Sequence, residues 1–115
     1  MDVLITGRGI EIDSALKSYI RRRIGFALSR FSNKVERIRV VVTNKSGPLG
    51  RIEKLCRIRV QLLGNTTVAV SNSDDNAHLA IAHAADQIHR VVARRIELGW
   101  TFAVTERIDR DRWEG

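Results

Sequence analysis

Apolar and polar side chains alternate most regularly in the middle of the chain. Over Val35–Thr43, Ile38, Val40 and Val42 fall on one side of an extended backbone, and Arg37, Arg39 and Val41 on the other. Over Leu55–Leu63, Cys56, Ile58, Val60 and Leu62 oppose Arg57, Arg59 and Gln61. A period of two marks half-buried strands. Asn44–Gly50 (NKSGPLG) has the chemistry of a turn. Gly64-Asn65 suits a two-residue hairpin before a return strand over Thr66–Ser71. These three strands are expected to form an antiparallel meander with one apolar side and one partly basic side.

Two stretches change to helical spacing. Leu16, Ile20, Ile24, Ala27, Leu28 and Phe31 fill one stripe of a wheel, with Asp13 or Ser14 as its N-cap. Arg22 lies nearly opposite that stripe, flanked by Arg21 and Arg23. Ala77, Ile81, Ala84, Ala85, Ile88 and Val92 form a second stripe, capped by Ser73, Asp74 or Asp75 and expected to fade near Gly99. His83, Arg90 and Arg94 fall within about 40° of one another on the opposite side. Ahead of both, Asp2–Thr6 (DVLIT) reads as a strand stopped by Gly7, and Gly7-Arg8-Gly9 as a turn.

The order β-α-β-β-β-α predicts a single α+β domain: a four-stranded sheet with two helices on one face, which buries both apolar stripes. The domain is expected over residues 1–97 and a C-terminal tail over 98–115. Trp100 and Trp113 in that tail could stack on bases, cover a sheet edge or anchor a second copy, so the tail is also the candidate for self-association.

Charge then sharpens the picture. The 115 residues carry 20 Lys and Arg against 13 Asp and Glu, a net charge of +7. Sixteen of the bases are Arg, whose planar fork suits phosphate and whose face stacks on bases. Ser14 to Val35 holds Lys17, Arg21, Arg22, Arg23, Arg30 and Lys34 and no acid. A polyanion is the expected partner. Arg21, Arg22, Arg23, Arg90 and Arg94 would form one extended positive surface on the outer sides of the two helices, with Lys34 and His83 as further candidates.

Other chemistries find little support. The single Cys56 excludes an internal disulfide framework, and its place on the apolar side of a strand makes it a core residue rather than a nucleophile. His78, His83 and His89 are spaced by five and six, which does not stack them on one helix face, so no metal is expected. Gly47-Pro48-Leu49-Gly50 matches the GXXG of a KH loop, but that loop needs a helix on each side and here strands flank it. Gly7-Arg8-Gly9 is too short for a phosphate-binding glycine motif, although Arg8 could face RNA. Asp74-Asp75 reads as capping. The N-terminus lacks a positive segment before its short apolar run, so no signal peptide is expected, and no apolar run approaches a membrane span. A cytoplasmic protein with no cofactor, no membrane and no small-molecule substrate is the expectation.

Several pieces in order resemble a known family. Ile5-Thr6-Gly7, Ile10-Glu11-Ile12 and Ala15-Leu16-Lys17 open the match. It continues through Tyr19-Ile20, Arg23, Phe31 and Arg39-Val40-Val41-Val42, then Ala80-Ile81 and Asp86-Gln87-Ile88, ending at Arg90, Arg94 and Arg95. Over about residues 1–97 this is similar to the ribosome hibernation-promoting factor family, which includes protein Y, in its short form. The resemblance implies a fold like a double-stranded-RNA-binding domain, binding in the small-subunit channel where mRNA and tRNA would sit, and no catalysis. Position by position it carries over Lys17, Arg23, Arg90, Arg94 and Arg95; Arg21 and Arg22 rest on the surface reading alone. The chain departs from the family at Phe26, where a second basic residue is usual, and at His78 and Ala82, which replace an aromatic and an acid.

The reading that follows is a ribosome-binding hibernation factor whose partners are the small ribosomal subunit and its rRNA. Two alternatives come from other classes: a stand-alone RNA- or DNA-binding regulator with the same fold, and a protein-interaction module working through its tail.

Overall fold

A computed structural model describes the backbone of residues 2–105 and the side chains of residues 2–98. Four strands, β1 (Asp2–Arg8), β2 (Val35–Ser46), β3 (Ile52–Leu62) and β4 (Thr66–Asp74), form one sheet in that order. The two long helices are α1 (Ser14–Leu28) and α2 (Ala77–Thr105). β2, β3 and β4 are the expected antiparallel meander, and β1 lies parallel to β2 at the edge. A parallel neighbour needs a crossover, and α1 supplies it.

The alternation in the sequence is realised side chain by side chain. Ile38, Val40, Val42, Cys56, Ile58, Val60, Leu62, Val68 and Val70 point inward and are buried. Ile20, Ile24 and Leu28 of α1 and Ala80, Ile81, Ala84, Ala85, Ile88 and Val92 of α2 cover them. Among the described residues, no polar or charged side chain is buried. The stripe of α1 ends in a tighter turn, Ser29–Lys34, which still delivers Phe31 to the core.

Element ends differ from expectation for local reasons. β1 runs through Gly7 to Arg8 because Gly7 pairs with Val42 in extended conformation. A Cβ at Gly7 would sit 2.4 Å from the Ile10 carbonyl oxygen, so this glycine lets the chain fold back against β1. The reversal itself falls at Gly9, with φ of 72°. Three residues, Leu63–Asn65, separate the paired Leu62 and Thr66, one more than a two-residue hairpin. Gly64 and Asn65 both take positive φ there, which these two residue types tolerate.

β4 extends to Asp74, so the N-cap of α2 is neither Ser73, Asp74 nor Asp75. It is Asn76, whose Oδ1 accepts from the backbone N–H groups of His78 and Leu79. Asp74 instead accepts from the Asn76 N–H. Asp13 caps α1 as expected, accepting from the Leu16 N–H at 2.8 Å. α2 does not fade near Gly99 but runs to Thr105. One interior glycine costs a helix about 1 kcal/mol and removes no hydrogen bond, too little to end it. The expected tail beyond Thr105 lies outside the described residues.

Candidate nucleic-acid interface

The helices run in the same direction, and a seam of cross-helix contacts joins them. Tyr19 lies against the His78 ring, centroids 4.6 Å apart, and its hydroxyl donates to the His78 carbonyl. His78 therefore still supplies a ring where the family's aromatic is missing. One turn on, the Arg23 guanidinium donates to the Ala82 carbonyl and to Asp86 Oδ1, both at 3.3 Å. Farther along, His89 Nδ1 lies 2.7 Å from the Ala27 carbonyl oxygen, and its ring packs near Phe31. A carbonyl only accepts, so Nδ1 carries the proton. This bond ties α2 to the last turn of α1.

This seam changes the role of Arg23. Sequence reading placed it on the outer surface, whereas the structure gives it two acceptors across the groove between helices. Its side chain, one third exposed, holds α2 against α1. The rest of the predicted surface divides by helix phase. Arg22 faces outward, with its guanidinium 5.8 Å from the centre of the Tyr19 ring. Lys17 and Arg21 are exposed one turn apart on the flank of α1 away from α2. His83, Arg90 and Arg94 form an exposed stripe along the outside of α2. Arg22, Arg90 and Arg94 are thus presented by neighbouring helices toward the same side.

Three predicted residues lie elsewhere. Arg95 is half-buried, in phase with Ile88 and Val92 on the inner side of α2. Lys34 is exposed at the end of the turn after α1, at the start of β2. Arg8 ends β1 opposite Thr43, on the sheet face away from the helices.

Phe26 is an exposed residue that a charge-based search passes over. It is 82% exposed on the outer side of α1, one turn after Arg22. An exposed aromatic between basic side chains has a ring face on which a base can stack. Its signal in the sequence was phase: the largest apolar side chain of α1 off the core stripe. Arg30 follows, with its guanidinium 5.2 Å from the Phe31 ring centre.

Remaining candidates resolve simply. Cys56 is buried in β3, and burial pushes its thiol pKa up to about 12. Gly47–Gly50 forms the tip of the β2–β3 hairpin, with strands on both sides rather than the helices of a KH loop. Among the described residues, no group of three His, Cys, Asp or Glu side chains could hold a metal ion. Among the described residues, no helix is long and apolar enough to cross a membrane.

The fold has solved counterparts. A ribosomal subunit interface protein from Coxiella burnetii superposes with a TM-score of 0.71 at 15% identity, over 84% of this chain and 99% of its own. The N-terminal domain of Protein Y from Thermus thermophilus gives 0.67 at 25% identity, over 82% of this chain and 98% of its own. No match was found among curated proteins. The fold these structures share with this chain is a two-layer α+β domain. Residues 3–97 match the family model described as Sigma 54 modulation protein / S30EA ribosomal protein, and the chain belongs to that family.

Proposed function

We propose that this domain binds the small ribosomal subunit along its rRNA and holds the ribosome inactive by occupying the channel that mRNA and tRNA need. The observation that carries this reading is the outer helical surface. Arg22, Arg90 and Arg94 project from two helices locked together by the Tyr19, Arg23 and His89 contacts, with Lys17 and Arg21 on its flank. α1 contains no acid at all. Such a surface meets phosphates without rearranging, because the seam fixes the spacing between helices. Folded rRNA would be read by shape and backbone, with Phe26 adding one stacking contact. The mechanism is steric and calls for no catalytic step. It places the protein in the cytoplasm with its ribosome.

Binding to purified small subunits across a salt series tests this, with Arg90→Glu plus Arg94→Glu beside the wild type. Tight binding that weakens with salt and collapses in the double variant is the expected result. Wild-type binding to free structured RNA but not to subunits would favour a stand-alone regulator. No binding to either at low salt would sink the reading.

A further inference from the structure

The sheet face turned away from the helices carries a second concentration of charge, which the helical surface does not explain. Alternate residues of the two central strands place Arg37 and Arg39 of β2 beside Arg57 and Arg59 of β3. Arg39 stands directly opposite Arg59, Arg37 opposite Gln61, and Arg57 opposite Val41. Arg8 joins them from β1. All five are exposed. Beside Arg39, Arg57 and Arg59 on this face lie Leu4, Thr6, Ala69 and Ser71, none of them acidic, whereas Arg37 has Asp2 as its neighbour. The acids on this face, Asp2 and Glu53, lie at its opposite ends, where Asp2 pairs in register with Arg37 and Glu53 with Lys45. The Arg23–Asp86 and Arg51–Asp75 ion pairs leave all five out.

Like charges directly opposite one another destabilise a sheet. The central strands therefore bear an internal repulsion that an external anion would relieve. The spacing favours a repeating one: about 6.7 Å between Arg residues along each strand and about 4.8 Å between strands. A second copy of the chain would set arginine against arginine. A lipid surface would find Leu4 as the only large exposed apolar side chain on the patch. Arg, with its planar fork, is the side chain suited to phosphate oxygens.

From this we infer that the outer sheet face is a second RNA-binding surface, which takes a phosphate backbone on Arg37, Arg39, Arg57 and Arg59. The domain is then two-sided, held between one RNA segment on its helices and another on its sheet. This goes beyond the helical reading and does not depend on the RNA being ribosomal.

The test measures binding of a short RNA duplex to the full chain, by affinity, stoichiometry and salt slope. Arg39→Gln plus Arg59→Gln is compared with Arg90→Glu plus Arg94→Glu. At a duplex concentration just sufficient to fill both wild-type sites, the wild type is expected to take two duplexes and each double variant about one. The sheet variant should lose about tenfold in affinity at its site, and its salt slope should fall by about 1.8. Its melting temperature should equal or exceed the wild type's, which separates lost binding from lost folding. Arg37→Gln plus Arg57→Gln provides an independent pair on the same face. Unchanged stoichiometry and slope in both sheet variants would overturn the inference while leaving the helical site standing. One duplex in the wild type, lost only in the sheet variants, would support it and count against the helical site instead. Polyglutamate displacing RNA from the sheet at equal charge concentration would overturn the assignment to RNA in favour of an acidic protein.

Discussion

The two charged faces of this domain handle arginine in different ways. On the helices, basic side chains project at intervals around a wheel, and Arg23, the one nearest a neighbouring helix, is matched to Asp86 and a carbonyl. On the sheet, Arg39 and Arg59 occupy one cross-strand pair. A helix spreads like charges apart, whereas an antiparallel ladder brings them to Cβ separations of about 5 Å. The helical surface is therefore compatible with a stable free protein. The sheet surface carries strain that binding can release, so the two should respond in opposite directions when charge is removed.

The largest effect should come from breaking what the faces share. Ile58 is fully buried between the sheet and the helices, and Ile58→Ala is expected to cost about 2–5 kcal/mol. Denaturant unfolding measures it, and RNA binding by helix and sheet should fail together as the fold is lost. A face that survived unfolding of the other would show that the layers are not one cooperative unit.

Next in size is the aromatic on the helical face. Phe26→Ala removes an exposed ring, so stability should stay within about 0.5 kcal/mol. Stacking on a base is worth about 1–3 kcal/mol, which predicts a loss of about 5- to 150-fold in affinity for small subunits. An unchanged affinity would leave that face a purely electrostatic one. A smaller effect of opposite sign belongs to the sheet: Arg39→Thr should raise stability by up to about 1 kcal/mol, seen as a higher melting temperature in low salt. The gain should shrink as salt screens the pair, and a fall in melting temperature would contradict the repulsion.

The smallest effect at neutral pH belongs to Cys56. Burial favours its neutral form in the folded state and raises its pKa to about 12, above the ordinary thiol value. Its contribution to stability is therefore complete below the unfolded thiol's pKa. It is lost progressively as pH climbs from there toward 12. A thiol reagent at pH 8 should label the native protein only through unfolding. Rapid labelling without loss of structure would place Cys56 at the surface.

Most of the layered architecture was legible in the residues, for a physical reason. Apolar alternation over Ile38–Val42 and Cys56–Leu62 has a period that only a strand can use, and each inward residue is indeed buried. The ends were harder. Ser73, Asp74, Asp75 and Asn76 are all good cap residues, and the choice of Asn76 follows from β4 pairing with β3 as far as Asp74, a long-range fact. Gly99 suggested a stop, but glycine only weakens a helix.

The candidate surface was legible as charge and less so as position. A wheel separates Arg22, Arg90 and Arg94 from the core, and the structure brings them to one side. It could not reveal that Arg23 would meet Asp86 sixty-three residues later in the chain, because that depends on the parallel alignment of the helices. Arg95 was grouped with Arg90 and Arg94 by the family resemblance, although its phase already set it with Ile88. The paired arginines of the sheet were visible as a basic side. Their direct opposition needed the register, which depends on where the β2–β3 hairpin turns.

The parallel pairing of β1 with β2 has a further consequence for how the chain assembles. β2, β3 and β4 follow one another through short connections, so they can zip locally. β1 reaches its partner only across α1 and the turn after it. Closing that longer loop costs more chain entropy, and contacts between distant residues are formed more slowly. The first strand to leave the ribosome is thus expected to be the last to join the sheet. Pulse-labelled hydrogen exchange should show amides of Val3 and Ile5 protected later than those of Ile58 and Val60. Until then the unpaired edge of β2 is exposed, and the nascent protein is most open to wrong strand partners there.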